Sequence, residues 1–312
     1  MPRSEAIALV PANDRGTPEF LAAPEPPAAS ALAAPALAPK VQRRAARVAA
    51  LRVADGRAVP REAEVAVEVP VGLVYNGAPH VVMLATPAEL EDFALGFSLS
   101  EGILASPEEL LDLRIEEGEE GIAIDLEIAP ARFATLAERR RNMTGRTGCG
   151  LCGVDSLTQV ARPVRRVPVR RRIAIDAVRK ALDALPVRQS LNRATGAVHA
   201  AGWADADGTL RLVREDVGRH NALDKLIGTL ARQGVDPQSG FALITSRCSF
   251  EMVQKSATFG IPLLVAISAP TSLAIEIAEW SRVSLIALAR RDSVSVYADP
   301  GRLIGLDGGR AP

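Results

Sequence analysis

The chain is expected to fold as an α/β protein, with a small N-terminal α+β domain over residues 45–145 and a three-layer α/β domain over 146–305. Three observations predict this. Residues 241–289 alternate apolar runs with amphipathic segments as β-α-β-α-β, the pattern of a parallel sheet buried on both faces. Residues 64–128 carry short period-two alternations around one helical stretch. A hydrophobic content of 48% in 312 residues is enough to fill cores of this size.

Residues 1–44 are rich in Ala and Pro, follow neither period and are expected to be a disordered arm; Glu5, Asp14, Glu19 and Glu25 make it too acidic for a transit peptide. In the first domain, 64–69 alternates, 71–76 and 80–85 read as strands paired around Asn76-Gly77, and 122–128 alternates again. A helix is predicted from Thr86-Pro87, with Thr86 as N-cap, Pro87 at the first helical position and Glu89 as the capping acid, through Leu90, Phe93, Ala94 and Phe97. His80 is expected to be structural. In the second domain, 176–185, 221–230, 250–259 and 272–281 read as helices, with Gly260 stopping the third. Strands are expected at 196–201, 210–213, 241–245, 262–268 and 283–289, with 294–297 as an added edge.

A net charge of zero and 4% aromatics argue against a nucleic-acid partner. No apolar run approaches the roughly 18 residues of a membrane span, and the N-terminus has no signal-peptide pattern, so a cytoplasmic protein with no membrane partner is expected. Its three cysteines do not make a secreted disulfide framework.

Two of them, Cys149 and Cys152, form a CxxC flanked and split by Gly148, Gly150 and Gly153. Glycines remove side-chain cover and permit tight turns, so a reactive, exposed thiol is expected. Arginines surround the pair, from Arg139, Arg140, Arg141 and Arg146 to Arg162, Arg165, Arg166, Arg170, Arg171 and Arg172. They are either a solvated linker or an anion funnel that favours the thiolate.

Ligands of an open parallel sheet bind beyond the carboxyl ends of its strands. Those positions carry Ser246-Arg247-Cys248-Ser249, Ser268-Ala269-Pro270-Thr271-Ser272 and Arg290-Arg291-Asp292-Ser293, hydroxyls and guanidiniums suited to a phosphate-bearing ligand. Ordinary helix capping and surface arginines are the structural alternative. A further cluster runs from Glu215 and Asp216 through Gly218, Arg219, His220 and Asn221 to Asp224 and Lys225, and suits either a buried ion network or direct ligand contact.

Zinc held by Cys149, Cys152, Cys248 and His199 or His220 has only weak spacing support. Deaminase chemistry is excluded, because His199-Ala200-Ala201 lacks the glutamate and Gly148 stands where a proline would precede the CxxC. A thiol-disulfide oxidoreductase remains a rival, although its motif would follow a strand in a small domain.

Four segments in order, 147–154 (TGCGLCGV), 215–228 (EDVGRHNALDKLIG), 246–257 (SRCSFEMVQKSA) and 268–274 (SAPTSLA), resemble the formate dehydrogenase accessory sulfurtransferase family, FdhD. The resemblance covers about 55–305; Cys248 departs from it, where a small non-cysteine residue is expected, as an incidental core cysteine or an added redox liability. It implies a cytidine-deaminase-like second domain without deaminase chemistry. It also implies a sulfurtransferase that takes sulfur from a cysteine desulfurase as a persulfide on Cys149. The sulfur goes to the molybdenum of the bis(molybdopterin guanine dinucleotide) cofactor, bound as substrate and needed by formate dehydrogenase. Cys152 would assist release or tune its neighbour. Leu288, Ala289, Arg290, Arg291, Asp292 and Ser293 correspond to the family's cofactor-binding stretch; Ser246, Arg247, Thr271, Arg219 and His220 join them from the rim and the polar cluster. A homodimer is expected.

Overall fold

A computed structural model describes residues 41–141 and 164–306, the side chains of 139–141 excepted. The Ala/Pro-rich arm up to residue 40, the CxxC and its closest arginines lie outside the described residues, which belong to one compact unit over Pro39–Pro312.

The chain enters through a hairpin of β1 (Ala45–Ala54) and β2 (Arg57–Ala66), turning at Asp55-Gly56 with both residues at positive φ. The expected alternation over 64–69 therefore straddles a junction: β2 ends at Ala66, and β3 (Val69–Tyr75) begins beyond it. β3 turns at Asn76-Gly77 into β4 (Ala78–Ala85), as the turn pair predicts.

Helix α1 (Leu90–Ser100) starts three residues later than the capping pattern predicts, behind a left-handed Glu89. Thr86 is used elsewhere. Its amide donates to Asp216, its hydroxyl accepts from the Val217 amide, and its carbonyl accepts from Lys225, so contacts with a segment about 130 positions away override the local cap. β5 (Leu110–Glu117) and β6 (Ile122–Ile128) complete a four-stranded sheet of order β4-β3-β6-β5, and α2 (Pro130–Arg141) follows. His80 packs edge-on against Tyr75 and Phe97, at ring separations of 5.3 and 6.1 Å, in keeping with a structural role.

Beyond residue 163, β7 (Ile173–Ala174) leads into α3 (Ile175–Arg188) and the short α4 (Ser190–Thr195), which ends on left-handed Gly196. The strand expected from 196 begins only at His199. β8 (His199–Asp205) and β9 (Leu210–Asp216) precede α5 (Arg219–Arg232). Then come β10 (Gly240–Ile244), α6 (Phe250–Phe259), β11 (Leu263–Ala266), α7 (Ser272–Ser281), β12 (Ser284–Ala287), β13 (Ser295–Ala298) and β14 (Leu303–Ile304).

The main sheet has the order β13-β12-β11-β10-β8-β9, with β10, β11 and β12 parallel. Alternate residues of these strands point to opposite cores. Ala242, Ile244, Leu264, Ala266 and Leu285 join the core that also holds α1, α5, α6, α7 and the first sheet, whereas Phe241, Leu243, Leu263, Val265 and Ile286 pack with Val178, Ala181 and Leu185 of α3. The sheet is thus buried on both faces, the three-layer arrangement its apolar runs predict. The cytidine-deaminase-like arrangement in particular stays an implication of the resemblance.

Candidate functional site

Because β10, β11 and β12 run the same way, their following loops emerge along one edge. A main-chain bridge between Cys248 and Pro270 continues the β10–β11 pairing into that rim. The Cys248 amide donates to Ala269 at 3.1 Å and the Thr271 amide to Cys248 at 3.0 Å. The loop after β12 is tied back by the Leu288 and Ala289 amides, which donate to Ser268 and Ala266. The rim is therefore a connected ledge, with Leu288 held at a positive φ of 49°.

The side chains on the ledge divide by occupation. Ser246 is buried, and its hydroxyl donates to the Arg247 carbonyl. Thr271 caps α7 by accepting from the Ala274 amide. Arg290 folds back onto the carbonyls of Ile267 and Ala289, Arg291 pairs with Asp183 at 3.4 Å, and the Ser293 hydroxyl donates to Asp292. Ala289 is buried, and Leu288 stands exposed beside it. Arg247 is exposed and has neither a carboxylate nor a carbonyl partner among the described residues. At the start of α6, Ser249 occupies the cap position without using its hydroxyl, so the first amides of that helix remain available to an anion.

Cys248 does not face this ledge with its thiol. The residue is fully buried, and burial pushes the thiol up to about 12, which fits a core cysteine that stays protonated.

The polar cluster before and within α5 is mostly an ion network. Asp216 and Lys225 meet at 2.7 Å with both side chains fully buried; Asp216 also accepts from the Gly218 amide and Asn221. Glu215 accepts from the amides of Leu191 and Asn192, opening α4. One turn along α5, Asp224 accepts from Ser100 at 2.6 Å and from Lys255 at 2.9 Å, and Lys255 reaches Glu101 at 2.9 Å while its ammonium lies 5.0 Å from the Phe97 ring centre. Burial raises the Asp224 carboxyl to about 6, while Asp224 and Glu101 hold Lys255 protonated. Sequence reading missed Lys255 and Glu101, because nothing local pairs a lysine in an apolar helix with acids from two distant segments.

Arg219 and His220 stand apart from that network, half-buried at the start of α5. Burial, with Arg219 and Lys255 nearby, lowers the His220 imidazole to about 4, so it is neutral at physiological pH.

The residues that follow the cysteine segment lie at the other edge of the sheet. The Val167 amide donates to Ser281 at the end of α7, Arg302 donates to Pro168, and Val164 lines a cleft of about 470 Å³ with Leu104, Val235 and Phe259. Arg165, Arg166, Arg170, Arg171 and Arg172 are all exposed there.

The described residues thus form a three-layer α/β protein whose parallel strands end on a ledge of hydroxyls, guanidiniums and open helix amides. The chain belongs to the FdhD/NarQ family, matched over residues 66–304. It is 54% identical over 248 residues to the sulfur carrier protein FdhD of Xanthomonas campestris pv. campestris, covering 80% of this chain and 88% of that protein. It is also 55% identical over 240 residues to the sulfur carrier protein FdhD of Cupriavidus necator, covering 77% and 83%. A crystal structure of a formate dehydrogenase accessory protein from Desulfotalea psychrophila superimposes with a TM-score of 0.65 over 83% of this chain and 99% of that one, at 22% identity. Among the described residues, no helix is long and apolar enough to cross a membrane.

Proposed function

We propose that this protein carries sulfur from a cysteine desulfurase to the molybdenum of a bis(molybdopterin guanine dinucleotide) cofactor on behalf of formate dehydrogenase. The observation that supports it best is the glycine-flanked CxxC standing in family order within a chain about half identical to named sulfur carriers. The Cys149 thiolate attacks the outer sulfur of a desulfurase persulfide, forming a new S–S bond and releasing the desulfurase thiol. Cys152 then attacks Cys149 Sγ, which expels hydrosulfide and leaves a Cys149–Cys152 disulfide. The two thiols supply the two electrons that reduce the transferred sulfur, and an external dithiol resets the pair.

The substrate's diphosphates suit the ledge, where Arg247, the open amides of α6 and the Thr271 hydroxyl present donors, and where Arg290 and Arg291 would exchange their present partners for phosphate.

Intact-mass analysis after incubation with a desulfurase and cysteine is expected to show a gain of one sulfur atom, lost in Cys149→Ala and kept in Cys152→Ala. Retention of the added sulfur by Cys149→Ala would refute the assignment.

The β1–β2 hairpin favours a homodimer. It pairs with no other strand among the described residues and leaves Leu51 and Val53, on one face, 67% and 69% exposed. An isolated two-stranded ribbon is marginal in water, and such apolar surface points to a covering partner. Light scattering should give twice the chain mass for the native protein and the chain mass for a Leu51→Asp/Val53→Asp variant. A variant that stays dimeric would place the interface elsewhere.

A further inference from the structure

The exposed arginines that follow the cysteine segment are fastened beside an exposed tryptophan. The joint is built on Arg302, which is fully buried. Its guanidinium donates to the Arg282 and Pro168 carbonyls, each at 3.2 Å, and its own carbonyl accepts from the Ile173 amide at 3.0 Å. One position back on both segments, the Val167 amide donates to the Ser281 carbonyl at 2.7 Å. Residues 165–172 therefore run along the end of α7, where Trp280 is 50% exposed and Arg282 is exposed two positions on.

None of Arg165, Arg166, Arg170, Arg171, Arg172 and Arg282 has an ion pair among the described residues. The neighbouring acids do not neutralise them. Asp299 accepts from Ser284 and from the amides of Arg302 and Leu303, and Glu276 and Glu279, exposed on α7, pair with none of the six. In a chain of zero net charge, six such guanidiniums on one surface are a local excess that repels itself and attracts an acidic partner. Trp280 adds to them, since tryptophan and arginine are the residue types that most often carry the binding energy of protein interfaces.

Nucleic acid is the rival polyanion. A single indole makes no stacking platform for successive bases. Arg165 also opens onto the cleft of about 470 Å³ beside Val164, Leu104 and Phe259, an apolar hollow that suits a protein side chain. The place of the surface narrows the partner further. It follows the CxxC in the chain and lies before β12, at the edge opposite the ledge that follows β12. A protein docked there sits where the cysteine segment joins the fold and leaves the ledge free for the cofactor.

We propose that Trp280, Arg282 and the arginines of 165–172 form the surface on which the sulfur donor docks, a protein presenting an acidic face and an apolar side chain for the cleft. The proposal rests on the sulfur-carrier reading above and adds where the donor binds.

Loading of the full-length protein by two donors, followed by intact mass, tests it: a cysteine desulfurase with cysteine, which must dock, and cysteine persulfide, which need not. Trp280→Ala should slow loading by limiting desulfurase about 30-fold, the loss typical of a hot-spot tryptophan. Arg166→Glu/Arg282→Glu should slow it about 10–100-fold at low ionic strength and abolish its salt dependence, because steering by opposite charge is lost. Both variants should load from cysteine persulfide at the native rate and keep the native melting temperature; if Trp280→Ala melts lower, the charge-reversed pair, which lies wholly on the surface, decides. Native rates with the desulfurase in both variants overturn the docking surface and leave sulfur carriage standing. An equal loss with both donors also overturns it, because the arginines would then act on the thiol. Calorimetric titration with the desulfurase separates the two readings: if neither donor loads Cys149 yet the desulfurase binds and both variants abolish that binding, the carrier reading fails and the surface stands. Absence of desulfurase binding, or binding of a single-stranded RNA oligonucleotide in its place that both variants abolish, refutes the proposal.

Discussion

Gly228→Ala is expected to destabilise the protein by more than about 4 kcal/mol, and Gly96→Val to prevent folding. A Cβ on Gly228 would lie 1.9 Å from the Asp92 carbonyl oxygen, and one on Gly96 would lie 1.7 Å from that of Asp224. Both obstacles are helix backbone, which has no rotamer to move, so α1 and α5 must separate. Separation breaks what holds them together: Asp92 to Arg232 at 2.9 Å, Thr229 to Asp92 at 2.8 Å, and Ser100 to Asp224 at 2.6 Å. Gly72→Ala is the control, because its added Cβ would meet nothing closer than 3.9 Å. Urea unfolding should place Gly228→Ala far below the native midpoint and Gly72→Ala within about 1 kcal/mol of it. A Gly228→Ala protein as stable as the control would mean that the helices do not cross this closely.

That crossing joins the two halves and was not visible in the sequence, where Gly96 and Gly228 read as ordinary small residues in helices. What was legible depended on local signals. Helix α7 spans the expected residues, and α6 stops at Gly260, whose φ of 96° suits only glycine. The parallel run 241–289 was legible because strands buried on both faces must be apolar throughout. The hairpin was not, because β1 and β2 face solvent on most positions and carry Pro60 in mid-strand, so no buried face writes a period into them. β5 was hidden in the same way by its acidic residues, and α2 by the arginines that end it.

The site follows the same division. Where the ledge lies could be read, since strand direction alone sets it. Which of its groups stay unoccupied could not, because Arg291 is engaged by Asp183, from a remote part of the chain. Ser249 could be read as a rim hydroxyl, but not that it leaves the start of α6 uncapped, since a hydroxyl at a helix start reads first as a capping group.

Lys225→Met should cost about 3–5 kcal/mol, because it leaves the Asp216 carboxylate buried without its cation. Lys225 contributes more than charge. Its ammonium lies 2.7 Å from Asp216 and donates to the Thr86 carbonyl at 2.9 Å, while Asp216 receives the Thr86 amide at 3.0 Å, so the pair clamps the entry of α1 to the start of α5. Asp216→Asn removes the charge and keeps one acceptor oxygen, for the amide of either Thr86 or Gly218 but not both. Combined with Lys225→Met, it should recover part of the loss, with a coupling of about 2 kcal/mol in a double-mutant cycle. The two single variants would otherwise add, and additivity within about 0.5 kcal/mol would show that each side chain acts alone. The same pair sets the first turn of α5, which carries Arg219 and His220, because Gly218 and Asn221 are both bound to Asp216.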